Sequence, residues 1–200
     1  MTTTAPDTSA NRITLRNVRL SYPNLFEPKG SVINGQTIPP KYSAAILLDK
    51  VKDADQIKAV QAIVERMFTE KWGKKDKRSS KLTNPLRDGS EKNDKNGYGP
   101  GVFFINAKAD PDHKPEVVDA VKGSDGKLAR LKKEDGRPYA GSYVNVSLNF
   151  FAFDMPVNKG ISAGLGNVQF VGHGERFGGG ADADSEFDEI EQDTVNSLLD

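Results

Sequence analysis

A β-strand with two different faces is encoded by the stretch Tyr143–Phe153, which reads YVNVSLNFFAF. Successive side chains of a strand point to opposite faces of a sheet. The even positions from 144 to 150 are all apolar, whereas the odd positions alternate Asn and Ser between Tyr143 at one end and Phe151 and Phe153 at the other. The stretch therefore predicts a strand that buries one face and presents amides, a hydroxyl and aromatic rings on the other.

The rest of the chain contains further strand patterns and a single strong helix pattern. Residues Arg12–Tyr22 alternate, but the pattern slips by one between Leu15 and Val18, which predicts a bulge that bends a long strand. Four other stretches predict strands: Tyr42–Leu48, Val102–Ala107, Glu116–Val121 and about Gly166–Val171. One helix among several curved strands favours a mainly β fold, a small mixed barrel, over a parallel α/β sheet.

The helix pattern covers Asp53–Trp72. Asp53 with Gln56 resembles a capping box at its start, and Gly73 is placed to end it. The apolar stripe recurs at helical spacing and should face the core; its members are Ile57, Val60, Val64, Met67 and Phe68.

Charge is divided unevenly along the chain. The 200 residues contain 28 basic and 28 acidic side chains, but eight of the acids and none of the basic residues lie in the last twenty positions. The first 180 residues therefore carry a net charge of +8, which is typical of a polyanion binder, and a tethered acidic tail would compete for the same surface. An acidic solubility tail is the alternative. The tail's acids are Asp182, Asp184, Glu186, Asp188, Glu189, Glu191, Asp193 and Asp200.

Composition predicts three regions: a disordered arm at 1–11, a folded domain at 12–177 and a flexible tail at 178–200 that begins with Gly178, Gly179 and Gly180. The chain has no cysteine, so it offers no disulfide and no thiolate metal site, which suits a reducing cytoplasm. The start lacks a secretory pattern and no stretch of eighteen apolar residues occurs. We therefore expect a soluble protein with no membrane contact.

The aromatic residues on the polar face of Tyr143–Phe153 suggest a platform for unpaired nucleobases. Phe151 and Phe153 have an equally good alternative role, which is to cover a second small core. Trp72, the only tryptophan, and Tyr22 are further stacking candidates.

A basic loop follows the helix pattern. Between Lys71 and Lys81 there are six cations and one acid, and Arg16 and Arg19 on the first strand could extend the same surface. These side chains would neutralise phosphates, although a loop that only faces water explains the loop pattern too. The six cations are Lys71, Lys74, Lys75, Lys77, Arg78 and Lys81.

Enzyme patterns are weak. Pro111-Asp112 followed by Asp125-Gly126-Lys127 formally matches a metal-dependent nuclease, but the second acid and the lysine lie in turn chemistry rather than on a strand. The two histidines, His113 and His173, lack metal-ligand spacing, and no phosphate-binding glycine loop is present. We expect no catalytic residue, metal or cofactor.

Four segments resemble a tailed-phage family of single-stranded-DNA-binding proteins, in consistent order over about Arg12 to Gly178: Leu15–Phe26, Lys41–Leu48, Ala140–Val146 and Asn158–Leu165. The resemblance implies an OB-fold, a five-stranded barrel elaborated by long loops, that binds single-stranded DNA without sequence preference. It also implies an acidic tail that contacts phage or host replication and recombination proteins. This tail ends with Leu198 and Leu199 before Asp200, and its aromatic residue, Phe187, lies further in.

The sequence thus predicts a non-enzymatic protein of the host cytoplasm that coats single-stranded DNA. Two alternatives stay open, a metal-dependent nuclease and a virion or scaffold protein with a solubility tail.

Overall fold

The computed structural model of the chain describes residues 10–33, 35–76, 78–79, 81–92 and 96–178. Most of the predicted N-terminal arm, Lys77 and the acidic residues of the tail lie outside these ranges. The elements in chain order are β1 (Arg12–Ile33), β2 (Gln36–Asp49), α1 (Ala54–Trp72), β3 (Leu86–Asp88), β4 (Val102–Ala109), β5 (Val117–Lys122), β6 (Leu128–Arg130), β7 (Tyr143–Asp154) and β8 (Lys159–Gly172).

Five of the strands close into a barrel. Antiparallel pairing joins β4 to β2, β2 to β1, β1 to β7 and β7 to β8, and a parallel contact between β8 and β4 completes the circle, with Ala107 opposite Ala163. The short strands β3, β5 and β6 lie outside the barrel. The predicted mainly β fold with one helix and an OB-like five-stranded barrel is therefore confirmed.

The first strand has the predicted bulge. Its register against β7 shifts between Leu15 and Val18, and Asn17 there has a φ of 52°. The shift turns Leu15, Val18 and also Leu20 into the core, although the alternation alone would put Leu15 and Val18 on opposite faces. The strand runs eleven residues further than predicted because β1 and β2 form a long hairpin.

The helix contributes its apolar stripe to the barrel core, and all five predicted residues of the stripe are buried. Gly73 ends the helix with a φ of 84°, as predicted. The predicted capping box is wrong in its contacts. Asp53 turns back toward β2, where its carboxylate accepts a hydrogen bond from the Asp49 backbone, while the Gln56 amide donates to Asp53 and to the Arg16 carbonyl.

A second, smaller cluster lies outside the barrel. Ala45 and Leu47 of β2 and Phe104 of β4 point outward there and are covered by Tyr98, with Val102 and Phe177 against them. In a strand with one face in the core, the opposite face normally lies in solvent. Here the outward face of β2 and β4 is buried because the loop that carries Tyr98 and the C-terminal segment that carries Phe177 cover it. Among the described residues, no helix has both the length and the apolar character needed to span a membrane.

Candidate nucleic-acid interface

A groove of about 700 Å³ runs over the outer face of β2 and β4 toward β8. Its floor is polar and small because alternate residues of these strands face outward. Ser43 comes from β2, Asn106 and Lys108 come from β4, and Ser162 comes from β8. The Asn24 amide donates to the Ser43 hydroxyl at 3.1 Å, which fixes the floor on the β1 side.

Aromatic side chains stand at the β1 side of the groove. Tyr22 lies at the second register shift of β1, has a φ of 45° and is 57% exposed. Its ring centroid is 6.3 Å from that of Tyr98, and the Asn96 amide donates a hydrogen bond to its hydroxyl. Burial raises the pKa of the Tyr98 hydroxyl, so that side chain stays neutral at any ordinary pH. The pair gives the groove one exposed ring supported by one buried ring.

Positive charge surrounds this groove. Arg87, Lys92 and Lys108 line it, and among the residues that the structure describes no acidic side chain lines it. Arg87 pairs with Glu91 at the rim, and its guanidinium lies 5.1 Å from the Phe104 ring. Within the described part of the chain, Lys92 and Lys108 form no salt bridge. Exposed cations without an internal partner are available to a polyanion.

Lys50 holds together β3 and the segment before β4, which form one wall of the groove. Its ammonium group donates to Asp88 Oδ2 at 2.6 Å and to the Pro100 carbonyl at 2.5 Å, so it ties together the two stretches that carry Arg87 and Tyr98. The hydrogen bond from Lys50 holds the pKa of the Asp88 carboxyl well below its usual range, with further help from Ser90. The position of this wall therefore depends on the pair of Lys50 and Asp88, neither of which lines the groove.

Of the predicted platforms, Tyr22 lines the groove, whereas Phe151 lies on the neighbouring strand β7 and is not among the lining residues. Phe151 is 47% exposed and pairs across the sheet with Ser162 of the floor. Phe153 is half-buried two residues further along β7, opposite Gly160. Trp72 packs beside Phe68 against the barrel core, with ring centroids 5.8 Å apart.

The predicted basic loop lies elsewhere, and none of its described cations lines the groove. Arg78 forms two hydrogen bonds with the Glu65 carboxylate, at 3.0 and 2.6 Å, and lies 4.6 Å from the Phe68 ring. This pair lowers the pKa of Glu65 and fastens the loop to the helix. Exposed side chains point to solvent at Lys71, Lys74, Lys75 and Lys81.

Tyr143 lies in a separate cleft of about 200 Å³ together with Arg19 and Lys52. The Arg19 guanidinium carbon is 5.0 Å and the Lys52 ammonium 4.8 Å from the centre of its ring. Arg16 is exposed, and its backbone exchanges hydrogen bonds with the Gln56 side chain at the bulge. The side chains on the polar face of β7 thus lie at two separate places, with Tyr143 in this cleft and Phe151 beside Ser162 of the groove.

The residues of the nuclease pattern have local structural contacts. Asp125 accepts a hydrogen bond from the Lys127 backbone in the turn between β5 and β6, and Asp112 is exposed in a short 3₁₀ helix. In the described ranges, no three histidine or acidic side chains are arranged to hold a metal ion.

Sequence reasoning missed five groove residues: Arg87, Lys92, Asn96, Tyr98 and Lys108. Lys108 and Asn106 were accessible to it, since they continue the alternation of Val102–Ala107 on the outward face. Arg87 lies in β3, whose three residues are too few to show an alternation. Lys92, Asn96 and Tyr98 lie in the irregular stretch between β3 and β4, where no periodicity indicates which way a side chain points.

The family model described as the ssDNA-binding protein of Enterobacter phage Enc34 matches residues 11–197. Putative protein p50 of Acyrthosiphon pisum secondary endosymbiont phage 1 is 36% identical over 196 residues, covering 94% of this chain and 98% of that one. The solved structure of the single-stranded DNA-binding protein from bacteriophage Enc34 has a TM-score of 0.63 at 22% identity and covers 88% of this chain and 89% of that chain. Its complex with ssDNA has a TM-score of 0.64 at 22% identity, with 84% and 90% covered. At this identity the structures show a shared fold.

Proposed function

Because this chain belongs to the family of the Enterobacter phage Enc34 ssDNA-binding protein, we propose that it binds single-stranded DNA without sequence preference and without catalysing a reaction. The groove over β2 and β4 is the binding site. Unpaired bases stack on Tyr22 and Phe151, while Arg87, Lys92 and Lys108 neutralise the phosphates between them.

The observation that carries this proposal is an exposed ring, Tyr22, in one groove with three cations and, among the described residues, no acidic lining side chain. Phe151, also exposed, pairs with Ser162 of the floor from the neighbouring strand. Stacking suits any base, since every base has an aromatic face, and phosphate contacts carry no sequence information. The outer face of the second and third barrel strands is also where OB-folds bind oligonucleotides. A duplex keeps its bases stacked inside and gains only the phosphate contacts.

The test is a fluorescence-anisotropy titration of the full chain with labelled single-stranded and duplex oligonucleotides, with and without magnesium. We expect tight binding of the single strand in the absence of magnesium, weaker binding of the duplex, and intact DNA at the end. Metal-dependent shortening of the DNA would instead support the nuclease alternative. No binding at physiological salt would support a virion or scaffold protein.

The biological role that we propose is to coat and protect single strands during phage DNA replication and recombination in the host cytoplasm. The acidic region at 178–200 competes with DNA for the basic groove and recruits replication or recombination proteins through Phe187, Leu198 and Leu199. What supports this is charge complementarity, with eight acids after a body of net charge +8, and the position of Gly178 beside Asn96 of the groove wall.

A chain that ends at Gly180 tests the tail. It should bind single strands more tightly than the full chain, most visibly at low salt where screening is weak, and should discriminate less against duplex. A matched full-length variant with the eight acids changed to Asn or Gln separates charge from length. Equal affinities for all three proteins at every salt concentration would mean that the tail does not compete.

A further inference from the structure

The residues that follow β8 cross the outer face of the barrel and cover the Tyr143 cleft. We name His173–Gly178 the C-terminal strap. Gly174 lies so close to the Tyr143 ring that an added Cβ would be 3.1 Å from it, and Arg19 donates to the Glu175 carbonyl at 2.8 Å. The Phe177 ring centre is 4.5 Å from the Arg19 guanidinium carbon. The strap therefore places an aromatic ring and a carbonyl oxygen on one arginine.

The cleft beneath the strap has unused capacity for an anion. Arg19 Nε is buried and has no hydrogen-bond partner among the described residues. Neither Arg19 nor Lys52 forms a salt bridge in the described part of the chain. Asp49 and Asp53 also line the cleft and balance its two cations, and their carboxylates accept hydrogen bonds from backbone N–H groups, so the capacity for an anion is the free donor of Arg19. A buried donor without an acceptor is costly, so a phosphate oxygen that reached it would be held firmly.

Phe177 lies between this cleft and the proposed DNA groove. It lines the cleft, and it packs in the outer cluster with Leu47 and Tyr98, of which Tyr98 also lines the groove. The contact is close, since a Cβ on Gly97 would lie 2.4 Å from the tip of the Phe177 ring. The ring thus closes the way from Tyr98 to Arg19 along the outer face.

We propose that Arg19, Lys52 and Tyr143 form a second subsite for a nucleotide of the same DNA strand, and that the Phe177 ring occupies it until a long strand displaces the ring. A base replaces Phe177 on the Arg19 guanidinium, which stacks on flat rings and binds phosphate equally well. The phosphate beside it takes the free Nε donor, and Lys52 offsets the negative charge that Asp49 and Asp53 bring to the cleft. This inference rests on the proposed function, because it extends the same strand beyond the groove.

The test compares oligo-dT of about 5 and about 20 nucleotides, a range that spans the site sizes of single OB-folds. Phe177→Ala in the full chain should tighten binding of the long strand by about fivefold or more, the lower limit for one stacked base, and leave the short strand unchanged. Adding Tyr143→Leu to Phe177→Ala should abolish the gain. Phe26→Ala is the matched control, since Phe26 is also half-buried but lines neither site.

A crosslinking experiment on the unaltered chain tests the subsite without any substitution. Long strands that carry 5-iododeoxyuridine should crosslink to Tyr143, and short ones only to groove residues such as Tyr22. Normal binding of both lengths with no crosslink at Tyr143, or a gain from Phe177→Ala that survives Tyr143→Leu, would overturn the inference and leave the proposed function intact. Failure of both lengths to bind would contradict the proposed function itself.

Discussion

Neutralising the groove cations should flatten the salt dependence of DNA binding. In a variant that combines Arg87→Gln, Lys92→Gln and Lys108→Gln, three phosphate contacts are lost, and each phosphate contact to a single strand contributes about 0.7 to the slope of log K against log salt. The slope should therefore become shallower by about 2. Between about 50 and about 200 mM salt, the variant should lose about 20-fold less affinity than the unaltered chain. Anisotropy titrations at four salt concentrations measure the slope.

The matched control removes the same charge from the basic loop, through Lys71→Gln, Lys74→Gln and Lys75→Gln. All three side chains are exposed and none lines the groove, so the slope should stay close to that of the unaltered chain. The reasoning is refuted if the loop variant flattens the slope and the groove variant does not. Equal flattening in both would show that binding responds to net charge rather than to the groove.

Three further predictions separate binding from folding. Tyr22→Ala should weaken single-strand binding by roughly 1–3 kcal/mol without changing the melting temperature, whereas Val146→Ala, in the core, should cost about 2 kcal/mol of folding free energy. Arg78→Gln should lower the melting temperature, since it breaks the pair with Glu65, and leave the DNA affinity unchanged; an affinity loss at unchanged stability would contradict its structural placement. Asp88→Asn should lower the melting temperature at pH 7. The fold depresses the pKa of the Asp88 carboxyl below 3.8, its value in the unfolded chain, so the ionised carboxylate stabilises the fold at pH values above 3.8. In thermal melts, the difference in melting temperature between the variant and the unaltered chain should therefore shrink as the pH falls below 3.8.

Local patterns in the sequence predict the helix and all five barrel strands, although β2 and β8 begin six and about seven residues earlier than predicted. Alternation in Tyr143–Phe153 and the slip between Leu15 and Val18 each follow from one property, the direction of successive side chains along a strand. The helix stripe follows from the same kind of periodicity at 3.6 residues. The capping box failed because the Asp53 carboxylate has an alternative donor at the end of β2, which is a tertiary neighbour.

The candidate site depends more than the barrel elements do on contacts between residues that are far apart in the sequence. Phe151 is within reach of sequence reasoning, because aromatics on the polar face of Tyr143–Phe153 are visible in the alternation. Tyr22 is only an aromatic residue at the end of the first strand pattern, and no alternation indicates its face. The basic loop after the helix attracted attention by its composition, yet Arg78 is turned inward by Glu65, thirteen residues earlier in the chain. The composition of a segment gives the number of its charged side chains but does not show which partner each of them contacts in the folded chain.

By itself, then, the sequence determined where the helix and the five barrel strands lie, the bulge in β1 and the charge contrast between the body and the last twenty residues, since all of these depend on neighbours along the chain. Only the tertiary structure decided which outward faces become a groove. The stretches that carry Arg87 and Tyr98 are placed there by Lys50, and the strap that covers Tyr143 is held by Arg19, 156 residues away. Those contacts arise when the barrel closes, because closure brings together residues that no local periodicity connects.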